Sequence, residues 1–290
     1  MFGGRPPRAG DLMKPLLQVK DLSTHFYTEA GVVRAVEGVS FHIDRGETVA
    51  LVGASGSGKT VCSLSIMRLI RPPGRIVSGE VWFDGTDLLR MQEREMRKIR
   101  GAKIAMVFQE PTLSFDPVHT VGAQIMETLA QHKKLGRKEA LKKTVELLGM
   151  VGIADPDTRV YSYPHEFSGG MLQRAMIALA ISCEPQLLIA DEPTTSLDVT
   201  IQAQVLELLT KISQTLGTSV LLITHNLGIV SRYAKRAYVM YAGKIVETGT
   251  VHKLYQEPQH PYTVELWASV LHLDRPKKRR RSQLALVDVK

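Results

Sequence analysis

The chain has 290 residues, of which 44% are hydrophobic, enough to fill the core of one large domain or of two small ones. It contains no apolar run near the roughly 20 residues that span a bilayer, and its two cysteines are too far apart to predict a metal site or a structural disulfide, which favours a reducing cytosol. The net charge of +8 is compatible with nucleic acid, with anionic lipid and with simple solubility, so it selects no partner by itself.

The N-terminal part of the chain predicts a tail followed by strands. Residues 1–15 contain glycine, proline and arginine without a period and without the apolar stretch of a secretory signal, which predicts a flexible tail. A strand-like pattern begins at Leu16 and includes residues 22–27. Residues 35–43 alternate apolar and polar side chains, which is typical of a half-buried strand.

The next stretch, residues 48–60, reads TVALVGASGSGKT and predicts a phosphate-binding loop. The loop fits the pattern G-x-x-x-x-G-K-[ST], between an apolar strand at 49–52 and a helix at 61–70. Glycines let the backbone wrap closely around a phosphate, and the exposed N–H groups bind the anion together with the helix N-terminus. We predict that Lys59 neutralises the β- and γ-phosphates and that Thr60 ligates Mg²⁺. The predicted nucleotide-binding residues are Gly53, Ala54, Ser55, Gly56, Ser57, Gly58, Lys59 and Thr60.

Further strands and helices follow the loop. The next expected elements are a strand, a helix and a short buried strand, at residues 79–83, 88–100 and 104–108. The last strand stops at Gln109, which could sense Mg²⁺ or the attacking water, or could simply be a strand end. Residues 120–149 have helical spacing, and we assign their lysine-rich face to solvent. This predicts an inserted helical subdomain at about residues 110–182.

Residues 167–174, FSGGMLQR, contain a second possible anion site. Ser168, Gly169 and Gly170 open a predicted helix, where free N–H groups could bind phosphate. Taken alone, these residues favour an ordinary helix start capped by Ser168. The spacing does not decide whether this site and the phosphate loop meet within one molecule or between two.

Two acids, Asp191 and Glu192, follow an apolar strand at residues 187–190. In open α/β sheets the carboxyl ends of the strands bind ligands, so we predict that Asp191 holds Mg²⁺ and that Glu192 acts as the general base for water. Without the phosphate loop, a solvated acidic turn would be the preferred interpretation. His225 follows the next strand, 219–224, at the same sheet edge, where it could contact the γ-phosphate or be structural.

The last predicted elements are two helices, at 201–215 and 227–234, and a hairpin formed by 237–241 and 244–247. Strands that alternate with helices around a phosphate loop predict an α/β fold with a mainly parallel sheet. We interpret the basic cluster at 277–281 as a solvated tail, with the inner-leaflet surface as the alternative.

Taken together, these motifs resemble those of the ATP-binding cassette (ABC) family, in the same order, over about residues 16–263. The matching motifs are the Walker A motif at 53–60, the Q-loop at Gln109, the signature motif at 168–170, the Walker B motif at 187–191, the catalytic acid Glu192, the D-loop at 195–198 and the switch histidine His225. Phe167 and Met171 depart mildly from the usual Leu and Gln of the signature motif. The resemblance implies a P-loop NTPase (RecA-like) core with an N-terminal antiparallel β subdomain and the inserted helical subdomain. We place this ATPase domain at residues 16–265 and a basic tail at 266–290.

The resemblance also implies roles for individual residues. The catalytic residues would be Glu192, His225, Gln109 and Lys59, and the Mg²⁺ ligands would be Thr60, Gln109 and Asp191. Phe26 would stack on adenine, with Tyr27 as the second choice. Each ATP would be held between the Walker motifs of one subunit and Ser168, Gly169 and Gly170 of another in a head-to-tail dimer. Closure on ATP and opening after hydrolysis would drive transport.

Finer features resemble bacterial importer ATPases for dipeptides, oligopeptides and nickel, and they lie at residues 121–125, 163–166, 198–204 and 260–263. Such a subunit would be peripheral, at the cytoplasmic face of the cell membrane. Its partners would be a second ATPase (a paralogue or a copy), two permeases contacted through residues 110–116, and an extracytoplasmic binding protein. No cysteine follows Cys183, so we do not expect the cysteine-rich extension of the longer peptide-type members, and short nickel-type or opine-type members are equally good models.

Three other functions are compatible with an ABC cassette. They are a soluble ABC protein acting on nucleic acid or ribosomes, an exporter subunit, and a cassette that binds ATP without hydrolysing it. The first is disfavoured because the chain has one cassette and no sustained heptads between Gln109 and Asp191. The importer-like features disfavour the second. The third is disfavoured because the residues expected for hydrolysis are all present, namely Lys59, Asp191, Glu192 and His225. No nucleic acid partner is expected.

Overall fold

The computed structural model describes residues 14–195 and 197–271. The strands are β1 (Leu17–Thr28), β2 (Gly31–Ile43), β3 (Thr48–Val52), β4 (Gly74–Phe83), β5 (Thr86–Asp87), β6 (Ile104–Val107), β7 (Leu187–Asp191), β8 (Ser219–Thr224), β9 (Arg236–Tyr241) and β10 (Lys244–Thr250). The helices are α1 (Lys59–Ile66), α2 (Glu93–Ile99), α3 (Val121–Lys133), α4 (Arg137–Met150), α5 (Pro156–Arg159), α6 (Gly169–Ile181), α7 (Val199–Leu216), α8 (Leu227–Tyr233), α9 (Val251–Gln256) and α10 (Pro261–Leu271). The predicted α/β fold is confirmed.

A six-stranded sheet forms the centre of the molecule, with the strand order β10-β9-β3-β8-β7-β6. Its strands pair in parallel, except for the edge hairpin in which β10 runs antiparallel to β9. Every residue of β7 and β8 is buried, because helices cover both faces of a parallel sheet. The carboxyl ends of β3, β7 and β8 therefore meet at one edge, next to the start of α1.

A second sheet is antiparallel and has the order β2-β1-β4-β5. In its middle strand Leu17 pairs with Ile43 on one side and with Phe83 on the other, and all three side chains are buried. They share one apolar core with Leu51 of β3 and Ile66 of α1. Because this sheet packs against α1, it supports the helix that begins at the glycine-rich loop.

Four helices, α3 to α6, occupy the chain between β6 and β7. Their buried side chains, among them Ile125, Leu129, Leu148 and Ile177, form a core that continues into the central sheet. The Ser168 hydroxyl caps α6 by accepting a hydrogen bond from Met171 N at 3.3 Å. This helical segment thus places residues 168–170 at the start of α6, which then leads into β7.

Several predicted elements differ in extent from those observed. The helix predicted to reach residue 70 ends at Ile66, because Arg68 has a left-handed backbone and two prolines follow. The helix predicted at 88–100 is a 3-10 turn, Leu88–Arg90, and the separate helix α2. The helical stretch at 120–149 is broken between α3 and α4, where Lys134 adopts φ 56°. The spacing of apolar residues does not predict where the backbone of a helix breaks locally.

The C-terminal part of the structure contains two helices, α9 and α10, that the sequence pattern does not predict. Helix α10 continues past residue 265, where the basic tail was predicted to begin. The rest of that tail, and residues 1–13 of the predicted N-terminal tail, lie outside the described residues. Within the described part of the chain, no helix combines the length and the apolar character that a bilayer span requires.

Candidate active site

The glycine-rich loop between β3 and α1 is shaped by two close backbone approaches. A Cβ on Gly53 would lie 2.2 Å from the backbone oxygen of Met240, and one on Gly58 would lie 2.2 Å from that of Ala35. Gly58 also has φ 104°, so only glycine fits there without strain. The loop is therefore seated tightly on β9 and β2, while residues 54–56 face solvent.

Lys59 is the first residue of α1, and its side chain is only 4% exposed. Its Nζ atom donates hydrogen bonds to the backbone oxygens of Gly53 at 2.8 Å and Ala54 at 2.9 Å. Burial lowers the Lys59 pKa, while the charges of Glu192 and Asp191 oppose this shift. The ammonium group is thus held at the mouth of the loop, where a bound phosphate would supply the opposite charge.

Asp191 ends β7 and meets the first turn of α1. The Thr60 hydroxyl donates a hydrogen bond to Asp191 Oδ1 at 3.2 Å. Burial raises the Asp191 pKa to about 6, although the hydrogen bond from Thr60 acts in the opposite direction. Burial disfavours the charged form of the Asp191 carboxylate, and a nearby cation would stabilise that form. The Asp191 carboxylate and the Thr60 hydroxyl are adjacent oxygen ligands, the kind that hard metal ions prefer.

Glu192 follows directly and has a different environment from Asp191. Its φ of 45° is left-handed, which is strained for a non-glycine residue and is common at active sites. Its backbone N–H donates to Ile223 O of β8 at 2.9 Å, which fixes this conformation. The carboxylate lies 3.9 Å from Lys59 Nζ and 3.2 Å from His225 Nδ1, and it accepts a hydrogen bond from the Thr195 hydroxyl at 2.8 Å. The Glu192 carboxylate, which can accept a proton, is therefore held opposite the buried Lys59 at the opening of the loop.

These groups surround a cavity of about 190 Å³. The cavity is lined by Ala35, Ser55, Gly56, Gly58, Lys59, Thr60, Val61, Gln109 and Glu192. An adjoining groove of about 500 Å³ is lined in part by Thr60, Gln109 and Asp191. The structure therefore brings together the loop, Gln109, Asp191 and Glu192, with His225 in contact with Glu192.

Two sets of predicted residues do not line this cavity. The ring of Phe26 packs against Gly74 of β4, with one ring atom 2.7 Å from where a Cβ on Gly74 would be. The Tyr27 ring is 47% exposed and lies against the Arg75 guanidinium. Residues 168–170 form only a capped helix start within this subunit. The adenine and second-subunit roles of these residues stay predictions.

The structure also shows contacts of the loop that the sequence pattern does not predict. Ala54 N donates a hydrogen bond to the Tyr262 hydroxyl at 2.6 Å, and Gly243 N donates to Ser57 O at 3.0 Å. The backbone of Ala35 closes one wall of the cavity. The importer-like motif at residues 260–263 includes Tyr262, but the motif does not predict that this residue lies next to the loop.

Comparisons with known proteins agree with this geometry. The family model described as "ABC transporter" matches residues 36–195. The chain is 52% identical to the probable peptide ABC transporter ATP-binding protein y4tR of Sinorhizobium fredii, covering 94% of this chain and 81% of that protein. It is 54% identical to the oligopeptide transport ATP-binding protein OppD of Bacillus subtilis, covering 89% and 73%. Identity to the dipeptide transport ATP-binding protein DppD of Escherichia coli is 48%, covering 92% and 82%.

Solved structures are similar in fold as well. The dimeric cassette MJ0796 bound to ADP and Pi superposes with a TM-score of 0.73 at 26% identity, covering 81% of this chain and 98% of that one. The structure of cbiO1 from Clostridium perfringens, part of the transporter complex cbiONQ, gives a TM-score of 0.70 at 26% identity, covering 89% and 98%.

Proposed function

The chain belongs to the ABC transporter family, and we propose that it is the ATP-hydrolysing subunit of a binding-protein-dependent importer of peptides. One observation carries the proposal: Lys59, Asp191 and Glu192 converge on a single glycine-rich loop. The names of the relatives, which refer to peptide, oligopeptide and dipeptide transport, support a peptide substrate over the nickel alternative.

The residues around the loop support a simple scheme for hydrolysis. The loop N–H groups and Lys59 bind the phosphates and neutralise charge on them. Glu192 accepts a proton from water as that water attacks the γ-phosphorus, and the bond from phosphorus to the ADP oxygen breaks. His225, 3.2 Å from the Glu192 carboxylate, orients this base. Gln109 lies in the same cavity and is placed to contact the water or the metal.

The site also fits the Mg²⁺ ion that nucleotide hydrolysis requires. Thr60 and Asp191 offer two adjacent oxygen ligands, and the desolvated Asp191 carboxylate favours a cation. Within the described residues, no three His, Cys, Asp or Glu side chains are grouped closely enough to hold a metal by themselves. This agrees with Mg²⁺, which is bound by few protein ligands together with water and substrate phosphates. When bound, Mg²⁺ would neutralise phosphate charge.

We expect Asp191→Asn to raise the Mg²⁺ concentration for half-maximal ATP hydrolysis at least about tenfold, because the change removes the carboxylate and keeps the side-chain size. The fold should tolerate the change, since burial already favours an uncharged group at this position. A Mg²⁺ titration of phosphate release measures the effect, and Asp157→Asn, at an exposed position of α5, is the matched control. An unchanged Mg²⁺ requirement would remove Asp191 from the metal site.

A dimer and a membrane partner complete the proposal. Residues 168–170 do not line the cavity of their own subunit, and we propose that they bind ATP held by a second ATPase, which we take to be a paralogue. Within residues 110–116, the segment that we propose contacts the permeases, the apolar side chain of Leu113 is 82% exposed. We assign residues 16–265 to the ATPase domain and about 110–182 to its helical subdomain. The subunit would then lie at the cytoplasmic face of the membrane.

Co-purification tests the transport assignment. The full-length tagged chain carrying Glu192→Gln is recovered with ATP from its native membranes in mild detergent. We expect to recover two permeases and a second ATPase. If the ATPase pair is a homodimer, the second ATPase is a copy of this chain. The associated binding protein should bind peptides. Ribosomes or DNA-bound proteins without any membrane protein would overturn the importer assignment while leaving the ATPase chemistry in place.

A further inference from the structure

The C-terminal helix reaches back to the phosphate loop. Ala54 N and the Tyr262 hydroxyl are 2.6 Å apart, although the two residues are separated by 208 positions in the chain. Ala54 also helps to hold Lys59, because the carbonyls of Gly53 and Ala54 accept the two hydrogen bonds that the Lys59 ammonium donates. A shift of the Ala54 peptide would therefore move the ammonium group that faces the phosphates.

Tyr262 is itself held on several sides. Its ring lies 4.3 Å from that of Tyr241, measured between centroids, and its backbone N–H donates to His260 Nδ1 at 3.2 Å. The backbone N–H groups of Gln259 and His260 donate to the Glu247 carboxylate of β10 at 2.9 and 3.0 Å. Helix α10 is anchored further along by Trp267, which is 5% exposed. The hydroxyl is thus presented by a fixed segment, not by a freely rotating side chain.

The contact occupies the N–H of one predicted nucleotide-binding residue, Ala54, and leaves the exposed turn at residues 55–56 open to the cavity. The Ala54 N–H points to Tyr262 and is not available to a phosphate, while the exposed turn at residues 55–56 continues into the cavity wall. On the other side of the loop, Gly243 N donates to Ser57 O. Two hydrogen bonds therefore hold the outer backbone of the loop at both ends of residues 54–57: Ala54 donates to Tyr262 of α10, and Gly243 in the turn between β9 and β10 donates to Ser57.

We propose that Tyr262 is a positioning residue for ATP binding: its hydroxyl fixes the Ala54 peptide and, through the Gly53 and Ala54 carbonyls, the Lys59 ammonium. A loop that is held before ATP arrives loses less conformational freedom on binding, which strengthens binding without changing the chemical step. The inference deepens the ATPase role proposed above and depends on it for its kinetic consequence.

Tyr262→Phe tests the inference, because it removes the hydroxyl and keeps the ring that packs against Tyr241. We expect the KM for ATP to rise about threefold, which corresponds to the loss of one modest hydrogen bond. The kcat should not change, because this hydrogen bond supports ATP binding equally in the ground state and in the transition state. Hydrogen exchange at the Ala54 amide should become faster by a similar factor. The control is Tyr255→Phe, whose ring packs edge-on against Trp267 in the same C-terminal segment.

The outcomes separate this inference from the function on which it rests. If the wild type hydrolyses ATP but Tyr262→Phe changes neither the KM nor Ala54 exchange, the positioning role is wrong. An equal rise in KM for Tyr255→Phe would assign the effect to general packing of the C-terminal helices and would also overturn it. If the wild type, assayed together with the second ATPase, has no ATPase activity, the proposed function fails, and faster Ala54 exchange in Tyr262→Phe alone still supports the hydrogen bond as the loop's anchor.

Discussion

Glu192→Gln is expected to lower the steady-state rate of ATP hydrolysis at least about 100-fold while ATP binding is retained, because general-base catalysis contributes 10²–10⁴ in rate. The amide keeps the size of the side chain and its contact with the Thr195 hydroxyl, but it cannot accept a proton from water. It also removes the negative charge 3.9 Å from Lys59, so phosphate binding should not weaken. Phosphate release measures the rate, and equilibrium binding of a fluorescent ATP analogue measures affinity.

A second consequence of Glu192→Gln is the accumulation of the ATP-bound dimer, since closure continues and reopening after hydrolysis stops. Size-exclusion chromatography with and without ATP detects this species, in the presence of the second ATPase if one is required. Glu207→Gln is the control, because Glu207 lies on α7 and pairs with the exposed Arg232. Normal turnover by Glu192→Gln would show that another group is the base.

The sequence predicts the parts of this site that depend on local patterns. Apolar runs predict β3 and β7, and the glycine pattern predicts the loop, because strand burial and left-handed turns leave strong local signals. The position of Asp191 at a strand end follows in the same way. The meeting of Glu192 with His225 could also be anticipated, because parallel neighbouring strands place their carboxyl ends at one edge.

Features that depend on distant parts of the chain could not be predicted in this way. The contact of Tyr262 with Ala54 joins the loop to α10, a helix that the sequence pattern does not predict and that lies after a hairpin and near the expected tail. The left-handed φ of Glu192 is imposed by Ile223 on β8, not by its sequence neighbours. The packing of Phe26 beside Gly74 likewise depends on the pairing of β1 with β4. Long-range packing, not local propensity, decides these three cases.

Lys59→Ala is expected to weaken ATP binding at least about 100-fold, because it removes two or more charge-assisted contacts to phosphate, each contributing about 1.5–3 kcal/mol. Lys59→Met separates charge from packing, since methionine fills a similar volume without the ammonium group. Equilibrium binding of labelled ATP measures the loss, and Lys211→Ala, at an exposed position of α7, is the control.

The two variants should lose affinity equally if the charge carries the effect. Removal of the ammonium leaves the Asp191 and Glu192 carboxylates near the loop without the cation that offsets them, so the approach of a triphosphate becomes less favourable as well. The Gly53 and Ala54 carbonyls also lose their shared donor; water can replace it at the exposed Ala54, whereas Gly53 is buried and its carbonyl loses its partner. Thermal unfolding of both variants is therefore measured beside ATP affinity, so that a loss of stability is not mistaken for a loss of phosphate binding. Unchanged affinity in both variants would refute the phosphate role of Lys59, whereas a loss confined to Lys59→Ala would assign the effect to packing.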